Sequence, residues 1–183
     1  MKINFLGDSI TEGAWAGLVE RRYSTLVANA LGAEECNFGL SGTRIAKQVK
    51  KTNNPDADVY MTRAVKMPKD AAFTFVFGGT NDFWAGSPLG ELKYSNWTEE
   101  ELYCVLPAIP YLLSLIKETL PNTRIVVLIN SGLSKEITEG LQEACEYFDI
   151  EKVTLQNIAK ICGHPSVAGM EEIKNQIVEG LKK

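Results

Sequence analysis

The sequence contains few of the residues that build metal centres and disulfide frameworks. It has one histidine, His164, and four cysteines, and no two cysteines form a Cys-x-x-Cys pair. Because Cys162 is the one cysteine near the histidine, a zinc site would lack ligands at the usual spacing. We therefore expect neither a metal nor a cofactor, and we expect the cysteines to be reduced and to act as small apolar residues.

Long apolar runs and blocks of like charge are also missing. No run approaches the roughly 20 apolar residues that a transmembrane helix needs. The net charge of −4 is spread along the chain, which argues against a nucleic-acid partner and against binding to an anionic membrane surface. The first predicted strand begins almost at Met1 and leaves no room for a secretion signal, so we expect a cytoplasmic protein.

The composition that remains is typical of a globular protein, with 45% hydrophobic and 23% charged residues. A length of 183 residues suits one domain over residues 1–183. Strand-like and helix-like segments alternate, and we predict five of each, with strands at residues 2–6, 35–38, 73–77, 125–129 and 153–155. This order predicts an α/β fold, a three-layer α/β/α sandwich with a five-stranded parallel sheet.

The helical signals are less regular than the strand signals. Residues 98–101 have the pattern of a capping box, which predicts a helix start. Pro107 and Pro110 are expected to break or kink this helix before a second stretch at residues 111–119. Residues 57–65 are compatible with a further helix.

Three glycine-containing loops and the histidine segment follow predicted strand ends. They are Gly7-Asp8-Ser9, Ser41-Gly42-Thr43, Gly79-Thr80-Asn81-Asp82 and Gly163-His164-Pro165. In a parallel sheet, the carboxyl ends of the strands lie at one edge, where open α/β sheets bind their ligands. We therefore expect all four segments to converge there.

These residues suit acyl transfer. Ser9 is the candidate nucleophile and His164 the candidate base that takes the Ser9 proton. The backbone N–H groups of Ser9 and Gly42 and the side-chain amide of Asn81 are candidate oxyanion donors. Glycine at position 42 lets a backbone N–H approach a substrate without an intervening side chain.

The order of the motifs resembles the SGNH hydrolases, the GDSL-type esterases and lipases. Gly7-Asp8-Ser9 is similar to their first block, Gly42 to the glycine of the second, Gly79-Thr80-Asn81-Asp82 to the Gly-x-Asn-Asp of the third, and His164-Pro165 followed by Gly169 to the fifth. The resemblance runs from residue 2 to the C-terminus. It implies a flavodoxin-like SGNH hydrolase fold and hydrolysis of carboxylic esters through an acyl-Ser9 intermediate.

One position departs from this pattern. The family usually has aspartate three residues before the histidine, and this chain has Ile161 there. A backbone carbonyl of the turn at residues 161–163 is the hypothesis that we favour for orienting the imidazole, because it needs only the local turn. The alternative is a distant acid, such as Asp149 or Glu171, folded into place. The sequence thus predicts a Ser9–His164 dyad rather than a triad.

The remaining candidates have supporting roles. Asp8 and Asp82 are expected to accept backbone N–H groups and hold their loops, rather than to act as an acid–base pair. Trp15, Phe83 and Trp84 lie in predicted loops above the sheet edge. They are candidates for lining a substrate pocket, and plain packing is an equal alternative.

The predicted partner is a small-molecule ester. The absence of a long apolar lid segment favours a short acyl group, such as acetyl, on a small or carbohydrate alcohol. Two alternatives remain: acyl transfer to another alcohol by the same residues, and a non-catalytic binding module that lost turnover with the missing aspartate. No stripe in the sequence indicates a dimer interface.

Overall fold

A single parallel sheet forms the centre of the molecule. The structure is a computed structural model that describes residues 1–48 and 59–182. The strands are β1 (Lys2–Gly7), β2 (Glu34–Gly39), β3 (Phe73–Phe77), β4 (Arg124–Ile129) and β5 (Glu151–Thr154). They pair in the order β2-β1-β3-β4-β5, and every pair is parallel. The prediction of a five-stranded parallel sheet is therefore confirmed.

Helices cover both faces of this sheet. Within the described ranges they are α1 (Ser9–Glu12), α2 (Tyr23–Ala30), α3 (Met61–Ala64), α4 (Thr80–Trp84), α5 (Val105–Thr119), α6 (Lys135–Phe148) and α7 (Val167–Gly180). Short 3-10 turns occur at Val19–Arg21 and Glu101–Tyr103. None of the helices in this part of the chain combines the length and the apolar character that spanning a membrane requires.

The alternation of side chains along the strands divides the core into two layers. Leu6, Val76 and Val127 belong to one layer, which also contains residues of α3, α5 and α6. Phe5 and Phe75 belong to the other layer, with residues of α2 and α7. Burial on both faces explains the continuous apolar runs of the strands, and the three-layer prediction is confirmed.

The register of the sheet brings three strand ends to the same level. Gly7 at the end of β1 pairs with Gly39 of β2 and with Phe77 of β3. A Cβ at position 39 would lie 2.2 Å from the backbone nitrogen of Glu12, so glycine here lets α1 pack directly on the end of β2. The loops that follow β2, β1 and β3 therefore leave the sheet side by side.

The start of α5 differs from the prediction. The Thr98 N–H donates to Glu101 Oε2 at 2.7 Å, and the Glu101 N–H donates to Thr98 Oγ1 at 3.3 Å. This capping box lies at the start of the 3-10 turn Glu101–Tyr103, whereas α5 begins only at Val105. Of the predicted break or kink at Pro107 and Pro110, the break is wrong, because α5 continues through both prolines. Pro107 lies in the first turn of α5, where a backbone N–H would have no partner within the helix. Pro110 lies inside the helix and is buried in the apolar core, and this packing outweighs the one hydrogen bond that proline removes.

Three smaller differences concern element bounds. The helix expected at residues 57–65 is observed as α3, and residues 57 and 58 lie outside the described part of the chain. The fifth strand begins two residues before the predicted start. An antiparallel hairpin of β6 (Lys160–Ile161) and β7 (His164–Pro165) was not predicted, so His164 lies on this hairpin rather than directly after a strand of the parallel sheet.

Candidate active site

Ser9 is the first residue of α1, directly after β1. Asp8 caps this helix, because its Oδ1 accepts a hydrogen bond from the Ile10 N–H at 2.9 Å. The helix ends at Gly13, whose φ of 103° lies in the region that favours glycine. Four residues between two caps therefore hold Ser9 at the carboxyl edge of the sheet.

The histidine reaches Ser9 from the other end of the chain. The Ser9 Oγ lies 2.9 Å from His164 Nε2, within hydrogen-bond distance, although the residues are 155 positions apart. The other ring nitrogen, Nδ1, lies 3.4 Å from the carbonyl oxygen of Cys162. A hydrogen on Nδ1 that faces this carbonyl leaves Nε2 free to accept the Ser9 hydroxyl hydrogen.

The hairpin turn places the Cys162 carbonyl beside the imidazole. Ile161 pairs with His164 across β6 and β7, and the two residues between them, Cys162 and Gly163, have φ values of 48° and 81°. Two consecutive positive φ values are what a two-residue hairpin turn requires. The carbonyl near Nδ1 thus belongs to the turn at residues 161–163.

The two alternative acids are not hydrogen-bonded to the imidazole. Asp149 caps the C-terminus of α6 just before β5 begins, so it lies at the amino edge of the sheet, opposite Ser9. Glu171 forms an ion pair with Lys174 along α7, at 3.0 Å. The hydrogen bonds of the His164 ring go to Ser9 and Cys162, and the alternative in which one of these acids orients the imidazole is wrong.

Two of the three predicted pocket aromatics contact the histidine. The indole of Trp15 stacks on the His164 imidazole with 6.2 Å between ring centroids, and that of Trp84 meets it edge to face at 5.7 Å. Both tryptophans are 52% exposed, so each also presents a surface to solvent. Phe83 is exposed too, and no ring contact joins it to another aromatic residue in the described ranges.

The candidate oxyanion donors lie on three neighbouring loops. Ser9 follows β1, Gly42 follows β2 with a φ of 76°, and Asn81 lies in the first turn of α4 after β3. The side-chain amide of Asn81 donates one hydrogen to the Thr43 carbonyl at 2.8 Å. This bond ties the third loop to the second, and the amide retains a second hydrogen.

Asp82 fixes the loop after β2 through hydrogen bonds to its backbone. Its carboxylate is 1% exposed and accepts hydrogen bonds from the backbone N–H groups of Ile45 and Ala46, at 2.9 and 3.0 Å. Burial raises the pKa of this carboxyl, and the two N–H groups partly oppose the shift. The geometry is that of a structural acceptor.

Asp8 is buried beside Ser9, the candidate nucleophile. Burial raises the pKa of its carboxyl to about 7. The charge of Asp82 adds to this shift, whereas the hydrogen bond from Ile10 and the charge of Arg63 oppose it. Asp8 is thus a helix cap whose charge depends on pH near neutrality.

Among the described residues, no group of three or more His, Cys, Asp or Glu side chains is arranged to hold a metal ion.

Sequence reasoning missed Arg63, a buried arginine that joins these loops. Its Nη1 donates to the carbonyls of Gly7, at 2.8 Å, and Phe38, and its Nη2 donates to Thr43 Oγ1 at 2.8 Å. The guanidinium thereby ties the ends of β1 and β2 to the loop that carries Gly42. The available signal was a single arginine within an apolar segment, and it does not reveal which strand ends the side chain reaches.

Glu12 was missed as well. It lies at the end of α1, and its Oε2 accepts hydrogen bonds from the Ser41 N–H, at 2.7 Å, and from the Ser41 hydroxyl. Ser41 precedes Gly42, so this carboxylate links α1 to the loop that follows β2. Nothing local in the sequence pairs residues 12 and 41.

Comparison with known proteins gives one family at the level of sequence and of structure. The family model for GDSL-like lipases and acylhydrolases matches residues 9–181. The crystal structure of a protein described as a GDSL-like lipase from Bacteroides ovatus ATCC 8483 has a TM-score of 0.90 at 33% identity, covering 99% of this chain and 97% of that one. A similar protein from Bacteroides uniformis ATCC 8492 has a TM-score of 0.89 at 32% identity, covering 99% and 95%.

More distant structures share the fold. An acetyl xylan esterase from the rumen bacterium Butyrivibrio proteoclasticus has a TM-score of 0.68 at 20% identity, covering 99% of this chain and 63% of that one. A search among curated proteins gave no match. Family membership supports a general ester-hydrolase function. The family model matches residues 9–181, and the Bacteroides ovatus protein is 33% identical along nearly the whole chain. This protein therefore belongs to the GDSL-like lipase and acylhydrolase family, the SGNH hydrolases.

Proposed function

We propose that the protein hydrolyses carboxylic esters through an acyl-Ser9 intermediate, with His164 as the general base. The observation that carries this proposal is the 2.9 Å contact between Ser9 Oγ and His164 Nε2. A nucleophile and a base within hydrogen-bond reach form the arrangement that activates a serine hydroxyl. Family membership supports ester hydrolysis in general, and the assignment of these two residues is the added claim.

In the acylation step, Ser9 Oγ attacks the ester carbonyl while His164 Nε2 takes the hydroxyl proton. The carbonyl oxygen becomes an oxyanion, and the N–H groups of Ser9 and Gly42 and the second amide hydrogen of Asn81 donate to it. The ester C–O bond then breaks, and the imidazolium returns its proton to the departing alcohol. The acyl group remains on Ser9.

Deacylation repeats these roles with water. His164 takes a proton from a water molecule that attacks the acyl carbon, and the same donors stabilise the second oxyanion. The bond between Ser9 Oγ and the acyl carbon breaks, Oγ recovers its proton from the imidazolium, and the carboxylic acid leaves. Each cycle consumes one ester and one water.

The base of this reaction is a dyad histidine. The Cys162 carbonyl offers Nδ1 an acceptor without a charge, which favours the reactive tautomer but stabilises the imidazolium less than a carboxylate would. Loss of the acid from a triad costs on the order of 10⁴ in kcat when the tautomer is wrong, and less when the orientation survives. We therefore propose that Ser9 and His164 are catalytically active as a dyad, without an acid.

For the substrate, we propose a short acyl group, such as acetyl, on a small or carbohydrate alcohol. Two half-exposed indoles beside His164 offer flat apolar surfaces of the kind on which sugar rings and small acyl groups pack. The related fold of an acetyl xylan esterase is consistent with this class. Hydrolysis rates for acetate, butyrate and octanoate esters of one alcohol measure the preference, and we expect the acetate to have the highest kcat/KM.

The test of the reaction is hydrolysis of an activated acetate ester. We expect a burst of alcohol release from the wild type and a loss of about 10³-fold or more in kcat in Ser9→Ala and in His164→Ala. A fluorophosphonate probe should label Ser9 in the wild type and not in Ser9→Ala. A wild type that is no faster than the two variants would instead identify a binding module. Transfer of the acyl group to added alcohols in preference to water would identify an acyltransferase.

A further inference from the structure

Two indole rings contact the imidazole of His164, in addition to its hydrogen bonds. The Trp15 indole lies nearly parallel to it, with 28° between the planes, and the Trp84 indole is nearly perpendicular, at 77°. Centroid distances of 6.2 and 5.7 Å lie within the range of favourable aromatic pairs. Because the two indole planes differ in direction, they restrict different rotations of the imidazole.

The backbone specifies where each indole lies. Trp15 has a φ of 68°, in a bend after α1 where the Ala14 N–H donates to the Ser9 carbonyl at 2.8 Å. Trp84 ends α4 and packs against Gly163, where an added Cβ would lie 2.3 Å from Trp84 Cη2. The bend that carries Trp15 is thus bonded to the nucleophile residue, and Trp84 rests on the hairpin that carries the base.

The hydrogen bond on the side of the imidazole away from Ser9 is long and orients the ring weakly. The distance of 3.4 Å from Nδ1 to the Cys162 oxygen exceeds the usual N–H···O range of about 2.7–3.2 Å. Ile161 adds no acceptor, since its side chain is apolar and 52% exposed. A histidine without a carboxylate needs another restraint that keeps Nε2 directed at Ser9.

We propose that Trp15 and Trp84 are positioning residues that hold the His164 imidazole toward Ser9 Oγ and take the place of the missing carboxylate. The proposal rests on the proposed function, because it concerns the base of that reaction. The face of the Trp15 indole, whose centroid lies 6.2 Å from that of the imidazole, also favours weakly the imidazolium that forms when His164 accepts the Ser9 proton. Both indoles therefore act on the orientation of the base, and Trp15 also acts on its charge.

The kinetic test uses Trp15→Leu and Trp84→Leu. We expect kcat for an activated acetate ester to fall about 10- to 100-fold in each variant while KM changes less than about threefold, because a misoriented base slows the chemical step. Trp84→Phe should recover part of the loss. Tyr147→Leu is the matched control, since Tyr147 is an exposed aromatic residue near the end of α6 at the amino edge of the sheet, and its kcat should be unchanged. A rise in KM with unchanged kcat would show that the indoles contact substrate without positioning the base, and it would overturn the proposal.

A second measurement does not depend on activity. His164 is the only histidine in the chain, so its ring resonances in ¹⁵N and ¹³C NMR spectra are unambiguous. We expect one dominant tautomer, with hydrogen on Nδ1, in the wild type and in Ser9→Ala, and a mixture of tautomers in the two leucine variants. A single tautomer in all of them would show that the carbonyl suffices and would contradict the proposal. Because this readout persists in an inactive protein, failure of the esterase assignment and failure of the positioning role are distinguishable.

Restoring a carboxylate provides the third test. Ile161→Asp introduces an acid at an exposed position three residues before His164. If the indoles replace the carboxylate, this change should raise kcat less than about threefold in the wild type and at least about tenfold in Trp84→Leu. Equal gains in both backgrounds would mean that the acid and the indole act independently, which is incompatible with the proposal.

Discussion

At the scale of single residues, Asp8 couples the stability of the fold to pH. Its carboxyl has a pKa of about 7 in the folded chain because it is buried, against an ordinary value of 3.8. Between about pH 4 and pH 7, the folded chain retains a proton that the unfolded chain has released. Stability therefore falls as the pH rises through this window, and above about pH 7 this group causes no further change.

We expect Asp8→Asn to remove this contribution. Asparagine retains a side-chain oxygen for the Ile10 N–H and remains a good helix cap, so the variant should fold. The free energy of unfolding of the variant relative to the wild type should rise by up to about 1.4 kcal/mol per pH unit across the window. Urea titrations at several pH values measure this difference. A constant difference at every pH would show that Asp8 does not titrate there.

The sequence predicted the candidate site residues that lie in motifs, but not the residues whose side chains join separate segments at the edge of the sheet. Ser9, His164 and Asn81 stand in recognisable motifs, and the order of those motifs indicated that they would meet. Arg63 and Glu12 have no such motif, because each binds a segment that lies more than 20 positions away in the chain. Their roles follow from the register of β1 and β2, which no local pattern reveals.

At the scale of elements, the strands were predictable and α5 was not. Each strand is a local apolar run between turn residues, and burial on both faces requires that composition. The start of α5 depends instead on hydrogen bonds from the N–H groups of Val105 and Leu106 to the carbonyls of Pro88 and Leu89, a segment that precedes the helix by more than a dozen residues. The β6–β7 hairpin has two residues in each strand, which is too short for a periodic signal.

The link between α1 and the loop after β2 gives a prediction about elements. The Glu12 carboxylate accepts both the N–H and the hydroxyl of Ser41, next to the oxyanion candidate Gly42. Because both residues are exposed, water weakens these hydrogen bonds, and each contributes about 0.5–1.5 kcal/mol. Glu12→Ala frees this loop, so we expect about a tenfold fall in kcat for an activated acetate ester. The change in KM should be smaller.

Ser41→Ala separates the two hydrogen bonds to Glu12. It removes the hydroxyl and leaves the N–H to the carboxylate, so its kcat should lie between those of Glu12→Ala and the wild type. Steady-state kinetics of the three proteins, with circular dichroism as a folding control, measure the effect. If Glu12→Ala retains the wild-type kcat, the loop keeps its position without the carboxylate, and the link has no part in catalysis.

At the scale of the whole molecule, the candidate site and the core that supports it lie apart. The segments after β1, β2 and β3 form the candidate site at the carboxyl edge, and the two apolar layers lie between the strands and the helices. The far end of α7 belongs to the core, where Ile177 is fully buried. Because α7 begins just after His164 and runs back along the sheet, its last turn is distant from the histidine.

This separation predicts that stability and catalysis respond independently to Ile177→Ala. Truncating a buried isoleucine removes apolar contacts and leaves a cavity, which costs about 2–5 kcal/mol of unfolding free energy. The fraction that remains folded should keep the wild-type kcat, because the strand ends and their loops are unchanged. Val65→Ala is the matched control, since Val65 is 48% exposed and its truncation should alter stability by less than about 0.5 kcal/mol. Urea unfolding gives the first quantity and activity per active site, titrated with a fluorophosphonate, gives the second. A large fall in kcat without loss of active sites would show that α7 transmits its packing to His164, and the core would then be part of the catalytic apparatus.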